Sequence, residues 1–205
     1  MPTDILLIIT ITAIIQSIFG VGVLLFGTPL MLLAGYDFIN TLRILLPISI
    51  AINSLQILKH YQLVDHHFFR SVLIFSIPFV VLFLFIVSTS TVNINILVGI
   101  FLIFVALKNF SIHLEKFLET TVKFEPLYLV VMGIVHGMTN LGGSLLTAIV
   151  HAKQYDKNQT RVTIAVCYAT FAVFQLLTLA LLGKNYHFSF SESTFFMQIG
   201  ILVFY

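Results

Sequence analysis

Two clusters of glycine and small polar residues are the places in this 205-residue chain where a solute could be held. Gly20-Val21-Gly22 interrupts an apolar stretch from Ile5 to Ala34, and Asn140-Leu141-Gly142-Gly143 interrupts another from Leu127 to Val150. A helix in lipid breaks only where protein, an ion or a ligand takes over the freed peptide groups, because each unpaired one costs several kcal/mol. A half-helix starting near Gly22 aims N–H groups and the positive end of its dipole into the bilayer interior, a setting that attracts an anion. At the second cluster Asn140 tolerates left-handed backbone and is placed to cap the following half-helix, while Thr139 and Ser144 add hydroxyl donors. Matched interruptions in two halves of a membrane chain point to a carrier's binding site. The competing reading is that these glycines only let helices pack closely.

Other polar residues fall near the clusters. His136 stands one turn before Asn140, and Gln16 occupies the matching position four before Gly20. For both, lining a path competes with a plain hydrogen bond to a neighbouring helix. Gln56 and Gln175 lie deep in later apolar runs, with Asn53 one turn before Gln56, and here too lining and structural glue both stand open. Arg43 and Arg161 begin two of those runs, either as interfacial anchors or as an electropositive vestibule that gathers anions. Asp37 and Asp156 are placed to cap the helices that follow, or to neutralise the arginines.

Several chemistries are not expected. His60, His66 and His67 with Asp65 lack a known ligand spacing, so no metal is assigned. The single cysteine, Cys167, sits in an apolar run and reads as a small buried hydrophobe. No nucleophile motif, phosphate-binding loop or paired intramembrane carboxylates occur, which argues against an enzyme and against a cofactor.

The elements that must position these residues are membrane helices. Hydrophobic residues make up 59% of the chain and charged ones 9%. A soluble domain carries about 25% charged residues, so this chain cannot cover itself for water and its partner is the lipid bilayer. The net charge is +2 with no basic block, which disfavours nucleic acid. Met1-Pro2-Thr3-Asp4 lacks the positive region of a cleavable signal, so the first run is expected to be retained.

Apolar runs cover 4–34, 41–59, 70–88, 93–111, 127–150 and 161–183. A seventh begins near Ser193 and is still apolar at Tyr205. About thirteen residues make only some 20 Å of helix, short of a ~30 Å bilayer core. It is expected to be a helix cut short, with at least one more to follow. The stretch Ser111–Glu125 is the most polar, and Pro126 marks entry to the fifth run.

At an offset of 119, Tyr36, Asp37, Thr41 and Gln56 match Tyr155, Asp156, Thr160 and Gln175. The expected fold is therefore an all-α polytopic membrane protein of two repeated halves, the first helix of each broken at its glycine cluster. Residues 1–111 form the first repeat, 112–126 a polar connector and 127–205 an incomplete second repeat. If every run crosses once, Lys59, Arg70, Lys108, Lys116, Lys123 and Lys184 share one side, against Arg43, Lys153, Lys157 and Arg161. That balance slightly favours a cytoplasmic N-terminus. If runs one and five re-enter instead, the count changes, and the sequence does not choose.

With these segments in view, the chain resembles the TauE/SafE, or sulfite exporter, family of membrane proteins. The resemblance rests on Gly20-Val21-Gly22 through Pro29-Leu30, on Gly35, on Leu63-Val64-Asp65 opening the third run, and on Gly142-Gly143 in the fifth. It implies export or uptake of small anions, with sulfite, sulfonates and organosulfur acids as the associated substrates. The leading expectation is a secondary carrier in a bacterial-type inner membrane, spanning it several times. The anion would sit between Gly20–Gly22 and Asn140, Gly142, Gly143 and Ser144, with Gln16, His136, Gln56 and Gln175 lining the path. The alternative is a non-transporting membrane subunit or scaffold whose glycines serve helix packing. A homo-oligomer is compatible with either.

Overall fold

Helices make up almost all of the described residues, which in this computed structural model are 3–19, 22–90, 92–108 and 124–183. Gly20, the polar connector from 109 to 123 and the seventh apolar run lie outside them. Among the described residues three helical stretches are long and apolar enough to cross a membrane: Phe38–Leu63, His66–Thr89 and Lys157–Leu181.

The first apolar run folds as two helices. Helix α1 spans Thr3–Phe19 and α2 spans Val23–Leu33, and the two lie antiparallel. At the tip, Gln16 Oε1 accepts from the Val23 N–H at 2.9 Å. At the open end, the Tyr36 hydroxyl donates to Asp4 Oδ2 at 2.9 Å. Gly22, the N-cap of α2, rests on the α1 backbone, where an added Cβ would lie 2.6 Å from both Thr12 O and Gln16 N. Glycine is needed at that position because only a bare Cα lets two backbones come so close.

After a turn at Gly35 (φ 90°), helix α3 runs Phe38–His60, and Asp37 accepts the Asn40 N–H at 3.1 Å as its N-cap. A short 3₁₀ turn, Tyr61–Leu63, leads to α4, His66–Phe75, capped by Asp65. Helix α5, Ile77–Thr89, continues α4 after a kink at Ser76, with Pro78 in its first turn. The proline supplies no N–H and resists an uninterrupted helix, which accounts for the kink. Helix α6 covers Ile94–Lys108. Its exposed Ile96, Ile100, Ile103 and Leu107 recur at helical spacing and form a face suited to lipid.

The fifth run is a second hairpin. Helix α7 spans Glu125–Thr139, with Pro126 at its start, and α8 spans Gly143–Ala152. Lys153 Nζ meets Glu125 Oε2 at 2.8 Å at the open end, and the Tyr128 hydroxyl donates to Leu145 O at 2.8 Å between the arms. Gly142 rests on the α7 backbone as Gly22 does on α1: an added Cβ would lie 2.5 Å from His136 Cβ and 2.8 Å from Met132 O. The contacted residues stand six and ten positions before the glycine in both hairpins.

Helix α9, Lys157–Leu181, is capped by Asp156, which accepts from Asn158 and Gln159. It packs along α3 in the opposite sense, since the end of α3 meets the start of α9: Asp65 N donates to Thr163 Oγ1 at 3.3 Å, and the Tyr155 hydroxyl donates to Asp65 Oδ2. The first hairpin therefore opens at the Asp4–Tyr36 end of the bundle and the second at the Asp65–Tyr155 end. Each points its tip inward.

Gly133 and Gly137 of α7 do the close packing that glycines often do in membranes. An added Cβ would lie 2.5 Å from Ser76 O and 2.6 Å from Val80 O, so this G-x-x-x-G pair seats the second hairpin on the kinked α4–α5 span.

Candidate functional site

The second tip is where the structure gathers unsatisfied polar chemistry. Helix α7 ends because Asn140 adopts left-handed backbone (φ 62°) while its N–H still donates to His136 O at 2.8 Å. Asparagine is among the few residues that enter this conformation readily. Asn140 is thus the C-cap of α7, and Gly142, not Asn140, is the N-cap of α8. The expected capping role for Asn140 is corrected, because its side chain is used elsewhere: Nδ2 donates 2.9 Å across to Thr28 Oγ1 on α2. That bond joins the two hairpins deep in the bundle, where both residues are fully buried.

Thr139 and Ser144 are also committed locally. Thr139 Oγ1 donates to Val135 O at 2.7 Å and accepts from Leu141 N at 3.2 Å, while the Ser144 hydroxyl donates to Leu141 O at 3.1 Å. They shape the turn.

Around the first residue of α8 the groups are not committed. The Tyr168 hydroxyl on α9 sits against Gly143, 1.3 Å from where a Cβ would be, and has no hydrogen-bond partner. His136 is fully buried, its ring 4.6 Å from the Phe171 ring and 6.4 Å from that of Tyr168. Gln175 lies beside the His136 ring. Neither nitrogen of His136, neither polar atom of Gln175 nor Asn140 Oδ1 makes a well-formed hydrogen bond, although the Gln175 amide stands near enough to the imidazole to pair with it. Buried polar groups in folded proteins are overwhelmingly paired, because an unpaired one costs about 1–3 kcal/mol. Of these atoms the Tyr168 hydroxyl, Gln175 Nε2 and one His136 nitrogen can donate, whereas Asn140 Oδ1 and Gln175 Oε1 only accept.

The first tip differs. Gln16 spends Oε1 on Val23 N and Nε2 on Asn53 Oδ1 at 3.1 Å, and Asn53 in turn donates to Ser49 Oγ at 3.0 Å. Gln56 is buried with both polar atoms unpaired. It stands one turn from the far end of α3, and Gln175 lies toward the far end of the antiparallel α9, so the two glutamines belong to different levels. Arg43 and Arg161, each half-buried near the start of its helix, likewise stand at opposite ends of the bundle. Asp37 and Asp156 cap, as the sequence suggested. Among the described residues no group of three or more His, Cys, Asp or Glu could hold a metal.

Sequence reasoning missed Tyr168, Thr28 and Gly133/Gly137. The glycine pair had a signal in its G-x-x-x-G spacing. Tyr168 and Thr28 had none, since their roles come from helices distant in sequence.

At the membrane end, burial alone would raise the Asp65 carboxyl. Hydrogen bonds from Tyr155 and the Phe68 N–H, with Lys153 nearby, outweigh it and hold the carboxyl below its ordinary value. Burial first, and then Asp65, push the Tyr155 hydroxyl well above its ordinary value.

Long apolar helices with lipid-facing sides define an integral membrane protein. A family model described as "Sulfite exporter TauE/SafE" matches residues 5–204. The chain belongs to this family, whose members are membrane transporters of sulfite and related anions rather than enzymes. Comparison with curated proteins and with solved structures gave no match.

Proposed function

We propose that the chain is a secondary carrier of a small anion, namely sulfite, a sulfonate or a related organosulfur acid, seated in a bacterial inner membrane that it crosses several times. Residues 1–111 and 127–205 act as two repeats of inverted orientation, joined by the 112–126 connector. Transport proceeds by alternating access, one repeat rocking against the other around the paired tips. The observation that carries this reading is the Asn140–Thr28 bond between hairpins that enter from opposite ends, beside a cluster of buried polar atoms with no well-formed hydrogen bond. Arg43 and Arg161 would bias one vestibule each, on opposite faces. Among the described residues at the tips, Gln16, Gly22, Val23, Asn140 and Gly143 are buried, which suits an occluded resting state.

The scaffold alternative assigns the tip glycines to helix packing. Gly133 and Gly137 already fill that role, and Gly22 and Gly142 contact their own hairpin's first helix rather than a separate span. The test is sulfite flux into liposomes holding the purified full chain. Flux is expected for the unaltered protein and lost in Asn140→Leu/Gly142→Leu. Unchanged flux in that variant would remove the tip from the pathway.

A further inference from the structure

We infer that the anion is held by the second hairpin alone, at the start of α8, with Tyr168, His136 and Gln175 as its side-chain donors; this rests on the carrier reading above. The argument is an asymmetry between two similar tips. In the first, the side chain six residues before the tip glycine is Gln16, and its Oε1 accepts the first N–H of α2. An internal acceptor thus occupies the place an anion would take. In the second, the residue six before Gly142 is His136, which makes no such bond. The long helix beside each tip repeats the contrast. Ser49 on α3 is bound by Asn53, whereas Tyr168, at the offset-119 position on α9, presents an unpartnered hydroxyl directly over Gly143.

The donors are a phenol, an amide, one imidazole N–H and the Gly143 N–H that opens α8, since the Ser144 and Leu145 N–H groups already donate to Leu141 O and Gly142 O. All are neutral, and they come from three neighbouring helices: His136 on α7, Gly143 on α8, and Tyr168 and Gln175 on α9. Such a set suits a compact oxyanion with several acceptor oxygens, of the sulfite or sulfonate type, held without a full countercharge.

The test uses the purified full chain, reading sulfite-induced thermal stabilisation and sulfite, methanesulfonate and sulfate flux in liposomes. Tyr168→Phe removes a hydroxyl that makes no bond within the protein, so folding is preserved and sulfite affinity is expected to fall about ten-fold or more. His136→Gln is expected to let the glutamine cap α8 as Gln16 caps α2, giving an equally or more stable protein that no longer responds to sulfite. Ser49→Ala, the first-half counterpart of Tyr168→Phe, should leave affinity within two-fold. If the unaltered protein binds sulfite and Tyr168→Phe and His136→Gln bind it equally well, or Ser49→Ala weakens it as much, the one-sided site is wrong and the carrier reading survives. If the unaltered protein neither binds nor moves any of the three anions, both fall.

A second inference comes from charge. We infer that the Asp65–Tyr155 end of the bundle faces the cytoplasm and the Asp4–Tyr36 end faces outward. Because both hairpins return to their own side, Lys59, Arg70, Lys153, Lys157 and Arg161 share the Asp65 end. Helix α6 starts beside Tyr36 and Asp37, where Val92–Asn95 lines a groove of about 360 Å³ with Leu32–Phe38, and runs toward the other end at Lys108. Of the described basic residues only Arg43 remains on the Tyr36 end. Such an excess near span ends is the mark of the cytoplasmic face. It reverses the slight preference obtained by letting every run cross once. In a bacterial inner membrane, an impermeant maleimide applied to intact spheroplasts is expected to label Asn93→Cys, and to label His67→Cys only after permeabilisation. The reverse pattern, or labelling of both in intact spheroplasts, would overturn the assignment.

Discussion

Gly22→Ala puts the hairpin geometry at risk with a single methyl group. The added Cβ would lie 2.6 Å from Thr12 O and Gln16 N, which are backbone atoms of a helix and cannot swing aside. Overpacking of this kind costs about 1–3 kcal/mol, and opening the tip also loosens the Gln16–Val23 hydrogen bond, worth about 1 kcal/mol. The expected destabilisation is therefore about 2–4 kcal/mol, with Gly142→Ala similar because its Cβ meets His136 Cβ and Met132 O. Two other glycines calibrate the measurement. Gly99 has nothing within 4 Å of an added Cβ, so Gly99→Ala should gain up to about 1 kcal/mol of helix propensity. Gly35 also has open space but a φ of 90°, so Gly35→Ala should lose about 1–2 kcal/mol through backbone conformation alone. The assay is SDS-titrated unfolding of the purified chain in dodecyl maltoside, followed by circular dichroism. If Gly22→Ala proves as stable as Gly99→Ala, α2 is not folded back on α1, and the reasoning built on the tip is refuted.

Asn140→Ala should cost about 2 kcal/mol, half from the left-handed backbone and half from the lost bond to Thr28, whereas Asn140→Gly keeps the backbone and should lose about 1 kcal/mol. A double-mutant cycle with Thr28→Val should return a coupling of about 1 kcal/mol, and additive losses would deny the bond between hairpins. Asp65 titrates below its ordinary value, so its share of stability is complete above a carboxylate's usual ~4 and disappears as pH falls through the lowered value. Tyr155→Phe should move that acid loss to higher pH in melts taken from about pH 6 down through the ordinary carboxylate value to about pH 2, and an unmoved profile would disprove the coupling. Lys153→Met should cost under about 1 kcal/mol in the same melts, because the Lys153–Glu125 pair is roughly a quarter exposed and water screens it.

The sequence alone determined where the helices lie and that lipid surrounds them. The run at 41–59 became α3, the run at 161–183 became α9, and Asp37 and Asp156 cap them as their type and position required. Hydropathy and capping are local properties, so they can be read from neighbours in the chain. Whether a long interrupted run stays one helix or folds back on itself is not local. It was decided by Gly22 seating on Thr12 and Gln16, and by Gly142 seating on Met132 and His136, contacts that exist only once the arms fold together. The candidate site follows the same division. His136, Gln175 and Gly143 carried a visible sign in their polarity or spacing within apolar runs. Tyr168 and Thr28 carried none, because their meaning arises when α9 lays a hydroxyl over Gly143 and α2 offers an acceptor to Asn140 across more than a hundred residues of chain. Packing between distant helices, which no single stretch encodes, brought Thr28 to Asn140 and left the Tyr168 hydroxyl without a partner.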